Sequence, residues 1–182
     1  MNFKFDISLC DEDYYDFNKF VALKSYYGKK QTITMQIIIG VIFLIAIAAN
    51  LFAGSFSKES IVGMLPLLLL GVVLELLLIP YFKLVIKLNI RSMKKRGKLA
   101  YSKESVLEFS DDGFREETPE QKSENKYSAI ERISVIENKN IYIHSNNILG
   151  YIVPFSCFKD SEDAKEFLEF LKLKCEKIKY YK

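Results

Sequence analysis

A carboxylate stands alone in an apolar run. Glu75 is the one charged residue between Ile61 and Phe82, a stretch otherwise dominated by Leu, Ile and Val. Carboxylates set in such segments are costly. They act as proton or ion relays, as contacts between helices, or as protonated groups bonded to a neighbouring amide or carbonyl. An earlier run, Gln31 to Ser57, carries no charge but includes Gln36 and Asn50. If the two runs fold back on each other about a symmetric turn, Glu75 lies level with Gly40 and one helical turn from Gln36. Glu75, Gln36 and Asn50 are therefore the intramembrane polar candidates. A Glu75 to Gln36 bond would be structural, whereas Glu75 with Asn50 would line a polar interface between copies.

The second chemical group is basic. Lys83, Lys87, Arg91, Lys94, Lys95, Arg96 and Lys98 follow the second run with no acid among them. Cations so placed can face anionic lipid headgroups, at about 1 kcal/mol each, or can serve only to set orientation. Other reactive constellations are missing from the sequence. His144 is the sole histidine, and no Cys or carboxylate cluster at ligand spacing accompanies it, so neither a metal site nor a Ser-His-Asp system can be assembled around it. Glycine-rich phosphate loops and nucleophile elbows are absent too. The expectation is a protein without catalytic residues, metal or cofactor. Cys10, Cys157 and Cys175 are odd in number and are read as unpaired thiols. A net charge of +3 does not mark a nucleic-acid binder, which concentrates cations on one folded face.

The elements that position these groups follow from apolar periodicity. About 20 residues at 1.5 Å each cross a hydrocarbon layer of about 30 Å, and Ile33 to Ala53 meets that length. In the second run Glu75 costs about 3 kcal/mol on the insertion scale, against a return of about 0.3 to 0.6 for each central Leu, Ile, Val or Phe. The apolar sum wins. Pro66 falls in the first turns and Pro80 near the end, where missing donors are tolerated. The short Gly54 to Ser60 connection predicts a tight outer turn, and Lys24, Lys29 and Lys30 ahead of the first run, with the basic exit after the second, keep both termini cytoplasmic. The first thirty residues contain Asp6, Asp11, Glu12, Asp13 and Asp16 and lack the core of a leader peptide, so a multi-pass protein of the plasma membrane is expected. Lys83 to Gly97 reads as a helical continuation of the second span.

Around the hairpin the pattern changes. Phe3 to Leu9 alternates as a strand, and Asp11 to Tyr27 predicts a helix whose acidic first turn suits its dipole. Further on, Val106 to Phe109 and Phe114 to Thr118 flank Asp111-Asp112-Gly113, a hairpin signal. Thr118 to Asn125 reads as a loop. Tyr127 to Ile130, Ile133 to Ile136, Ile141 to His144 and Ile148 to Val153 read as strands divided by Asn and Lys turns. Asp160 caps a helix with Ala164, Phe167, Leu168, Leu171, Cys175 and Ile178 on one stripe, and Tyr180, Tyr181 and Lys182 are its frayed end. The fold class is a membrane α-helical hairpin plus a small cytoplasmic α+β domain, an antiparallel β meander or barrel capped by the C-terminal helix. The segments are 1–30 (cytoplasmic strand and helix), 31–82 (hairpin), 83–101 (basic juxtamembrane helix) and 102–182 (cytoplasmic domain).

This order of elements, with the Asp-Asp-Gly turn, Lys126-Tyr127-Ser128-Ala129-Ile130, Ile152-Val153-Pro154 and Phe158, resembles the bacterial YcxB-like proteins. The resemblance implies a cytoplasmic domain similar in topology to a pleckstrin-homology fold. Such proteins usually carry a tryptophan where Tyr127 stands and a basic residue where this chain has Phe155. The acidic first hairpin turn has the wrong charge for a phosphoinositide pocket. The expected function is a membrane-anchored interaction or regulatory module that meets the lipid bilayer and a protein or peptide partner, not nucleic acid. The alternative is a small oligomeric transport-accessory or immunity component that uses Glu75.

Overall fold

The computed structural model describes residues 2–54, 57–97, 99, 101–147 and 149–181, without the side chains of 59 and 60. The chain divides into two compact units, residues 19–91 and residues 1–18 joined with 92–182.

The first unit is built on two long helices, α2 (Tyr26–Ala53) and α3 (Lys58–Lys95), while α1 (Asp11–Lys19) belongs to the other unit. The single helix expected over Asp11 to Tyr27 is broken. After α1 the chain widens into a π-helical turn, Phe20–Lys24, and stops at Ser25, whose extended backbone starts α2. Ser25 is buried and used twice. Its Oγ donates to the Val21 carbonyl at 2.6 Å and accepts from the Gly28 amide at 3.0 Å. That turn brings the Val21 carbonyl so near that a Cβ on Gly28 would lie 2.2 Å from it, so only glycine fits. The cap moves the apolar helix start from Gln31 to Tyr26. α3 runs unbroken through Pro66 and Pro80 and absorbs the expected basic continuation, ending where Gly97 turns left-handed at φ 66°. Both helices are long and apolar enough to cross a membrane. Residues 55 and 56 of the expected outer turn lie outside the described residues.

The second unit holds two four-stranded sheets. One has the order β1 (Phe3–Ser8), β2 (Glu104–Phe109), β3 (Phe114–Glu117), β4 (Lys122–Asn125), all antiparallel. The other has the order β7 (Gly150–Pro154), β6 (Asn140–His144), β5 (Arg132–Ile136), β8 (Ile178–Tyr181). The Asp-Asp-Gly hairpin stands where expected, with Phe109 opposite Phe114. The N-terminal strand is an integral part of this unit: Phe3 pairs with Phe109 and Ser8 with Glu104. α4 (Ser161–Lys174) is capped by Asp160, whose Oδ1 accepts from the Glu162 and Asp163 amides, both at 2.9 Å. Phe167 and Leu171 of α4 are fully enclosed with Leu107, Phe109, Ile133, Ile141, Ile143 and Val153 in one core.

Three expectations are corrected. Lys122–Asn125, read as loop, forms β4 because ladder bonds to β3 satisfy its backbone, and its polar side chains suit an edge strand. Tyr127 to Ile130, read as a strand, contains a 3-10 turn at Tyr127–Ala129 that carries the chain from one sheet to the other. The C-terminal helix stops at Lys174. Cys175 is its cap, and Ile178, Tyr180 and Tyr181 lie in β8, parallel to β5, rather than on the helix or in a frayed end. Ile148, expected to begin β7, and Lys182 are outside the described residues.

Candidate functional site

Glu75 lies within the helix pair. Gly71 meets the ring of Phe43, with a notional Cβ 3.1 Å from it. In an antiparallel pair that contact sets Glu75 level with Ile39, one residue from the expected Gly40. Positions withdrawn from the surface on α3 run Met64, Leu67, Gly71, Glu75, Leu78 and Phe82; on α2 they run Gln36, Ile39, Gly40, Phe43, Ala46 and Ile47. Both series have helical spacing, so Glu75 and Gln36 occupy the stripes along which the two helices face each other. Asn50 does not: it is exposed, off that stripe.

The basic run follows on the same helix. Lys83, Lys87, Arg91 and Lys95 recur every fourth residue and are exposed along one face, as is Arg96 just past the helix end. Lys94 is committed elsewhere. Its ammonium pairs with Asp11, which also accepts from the Tyr101 hydroxyl at 2.8 Å, and the Tyr101 ring stacks on Tyr14 at 4.5 Å. These bonds hold the Asp11 carboxyl below its usual range. Lys98 lies outside the described residues.

A third group was not read from the sequence. On β6 the side chains alternate, with Ile141 and Ile143 in the core. Asn140, Tyr142 and His144 point to the opposite face with Ser134 of β5, and all four are buried. A sheet face with this polarity ordinarily meets water. Here α1 covers it. Phe17 stacks on His144 at 5.7 Å and meets Tyr142 edge-on at 5.1 Å, and Asp16 pairs with Lys139. Lys139 follows Asn138, which turns the β5 to β6 connection at φ 54°. That left-handed conformation is one asparagine tolerates. His144 Nε2 lies 3.2 Å from Ser134 Oγ. Burial and then the nearby Arg132 push the imidazole down to about 3, so it is neutral at physiological pH. A sealed, neutral imidazole packed on a phenyl ring holds structure together; it has no path to a substrate.

The same unit holds a cleft of about 940 Å³ among α1, the chain after α3, β2, β3 and the start of β7. Its floor is apolar, with Phe17, Leu107 and Ile152, and Glu116 lines it together with Tyr14, Tyr101 and Tyr151. Burial pushes the Glu116 carboxyl up. The sequence signal for this residue was an acid at an inward position two residues after Phe114. Among the described residues no cluster of His, Cys, Asp or Glu suits a metal ion.

Comparison with known proteins places these elements. No curated protein and no solved structure matches the chain significantly. A family model described as YcxB-like protein matches residues 109–171, from the end of β2 to Leu171 of α4. This segment, which holds the hairpin after Asp111-Asp112-Gly113, the whole of the second sheet except β8 and most of α4, matches the YcxB-like family.

Proposed function

We propose that this chain is a two-pass membrane protein whose hairpin, α2 and α3, holds a pleckstrin-homology-like interaction module at the cytoplasmic face of the plasma membrane, where it binds a protein or peptide partner. The observation that carries the membrane part is exposed apolar surface. Only 6% of the most apolar window of α2 and 11% of that of α3 is buried, and side chains such as Leu44, Leu69, Leu76 and Phe52 are more than 60% exposed. Burying one such side chain is worth about 1.5 to 3 kcal/mol, and roughly two dozen of them lie exposed between Ile33 and Leu88. Left in water, they would forfeit more than the 5 to 15 kcal/mol that typically stabilises a domain. Lipid tails remove that conflict. The lysines and arginine along one face of α3 suit the anionic inner leaflet and support cytoplasmic termini. Two sheets closed by a helix support the pleckstrin-homology-like reading, and β4 and β8, at the ends of their sheets, offer edges for strand addition by a partner.

The test is made in native membranes. The chain should stay in the pellet after alkaline carbonate washing, and a reporter fused after Lys182 should be active only as a cytoplasmic fusion. A chain that is monodisperse in aqueous buffer without detergent would overturn the reading. Crosslinking with identification of neighbours then finds the partner; recovery of self-copies alone would favour an oligomeric transport or immunity role for Glu75.

Glu75 gives a further expected result. With the carboxylate on the stripe between two apolar helices, Glu75→Leu should favour insertion of α3 by about 3 kcal/mol, read as the inserted fraction in a glycosylation-mapping assay. Glu75→Gln should retain folded protein. Loss of folded protein in both variants would instead make the carboxylate a packing requirement.

A further inference from the structure

The cleft in the sheet-rich unit has walls, a floor and one half-buried acid, and none of these is used by an anchored module as described above. Its floor of Phe17, Leu107 and Ile152 is buried and apolar. Tyr14 and Tyr101 line it as a stacked pair, and Tyr151 contributes a further ring. Glu116 follows Phe114 on the inward side of β3, opposite Leu107 on β2 and Ser123 on β4. Among the described residues it forms no ion pair, and burial raises its carboxyl; of the two lysines that also line the cleft, Lys94 is paired with Asp11 and Lys103 forms no ion pair with Glu116. The other acids near by differ: Asp11 is paired with Lys94, and Glu120 is exposed at the rim.

A carboxylate among aromatic faces recognises an ammonium group, because the acid supplies the countercharge and the rings supply their negative faces. An apolar floor adds affinity for a hydrocarbon tail attached to that group. We infer that this cleft binds a small amphipathic ammonium compound, with the cationic head against Glu116 and the tyrosine rings and the apolar tail on Phe17, Leu107 and Ile152. Such a head could belong to an aminolipid or to a soluble amine, and the apolar floor commits the site to the amphipath.

The experiment uses the full chain, isotopically labelled and reconstituted in nanodiscs, with amide shifts of Gly150, Tyr151 and Glu116 as the readout. The probes are n-hexylammonium, methylammonium and hexanoate. Hexylammonium should titrate these amides to saturation, methylammonium about tenfold more weakly or worse, and hexanoate not at all. Glu116→Gln should weaken hexylammonium binding about tenfold, the usual size of a lost charge-assisted bond, whereas Glu120→Gln should leave it unchanged. Tyr14→Leu, which keeps the acid and removes a ring, should weaken it about threefold. Three results would each overturn the inference: saturation by hexanoate equal to that by hexylammonium, equal affinity for methylammonium, or full binding by Glu116→Gln. Should Glu116→Gln not fold, unchanged binding by Tyr14→Leu would overturn it as well.

Discussion

A fragment beginning at Ser102 is expected not to fold, although it contains the entire YcxB-like match. It would lack β1, whose six residues pair with β2, and would open the core where Phe5 and Ile7 are 5% and 3% exposed. The loss is concentrated in rings. Phe5 meets Phe158 at 5.0 Å, Phe167 at 4.8 Å and Phe109 at 6.1 Å, while Phe3 meets Phe167 and Phe170, both at 5.2 Å. Removing one buried phenylalanine costs about 3 to 5 kcal/mol, and a small domain has about 5 to 15 kcal/mol in total, so deleting the strand exhausts the reserve. It also bares β2 as an apolar edge, an invitation to aggregation. Residues 2–18 joined to 92–182 by a flexible Gly/Ser linker of about 12 residues, spanning about 20 Å, should restore a folded unit. The check is the dispersion of amide resonances from each fragment. A well-dispersed spectrum from 102–182 alone would refute the expectation. In the whole chain, Phe5→Ala should lower stability by about 3 to 5 kcal/mol. Partner-binding trials with soluble material therefore need the joined form.

Acid should loosen the sheet-rich unit through His144. Its imidazole titrates from 6.5 when unfolded to about 3 when folded, first because it is buried and then because Arg132 is near. Between those values the unfolded chain takes up a proton that the folded chain refuses, so stability falls as pH falls through this window. From pH 6.5 to pH 5 the loss is about 2 kcal/mol, at 1.36 kcal/mol per pH unit. Other groups act in the same range. Glu116, with its carboxyl raised, works in the opposite sense, being easier to protonate when folded. Comparison with His144→Gln isolates the histidine, because the carboxylates titrate in both proteins. Thermal unfolding in detergent, followed by near-ultraviolet circular dichroism, should show a steeper decline with acid in the wild type than in the variant. Parallel profiles would mean that His144 is hydrated or charged in the fold. The first contacts to yield should be those of α1, since Phe17 lies on the imidazole and Asp16 on Lys139.

These two results concern the elements that were hardest to read from the chain. Legible from sequence were features whose cause is local. The two apolar runs, the continuation of α3 to Gly97, the Asp-Asp-Gly hairpin and the Asp160 cap each depend on residues within a few positions of one another, where turn geometry, capping and periodicity act. Tertiary structure alone decided the rest. The alternation of Phe3, Phe5 and Ile7 announced a strand but not that its partner lies about a hundred residues away, because pairing depends on which edge is free once the chain has folded. β4 carries no apolar signal, and it forms because β3 offers unpaired backbone groups. His144 is buried because α1 lies over a sheet face that its own alternation would have left to water. Residue spacing determined the elements and their local ends; which surfaces they cover came from contacts between distant segments, whose free energy no short stretch of sequence contains.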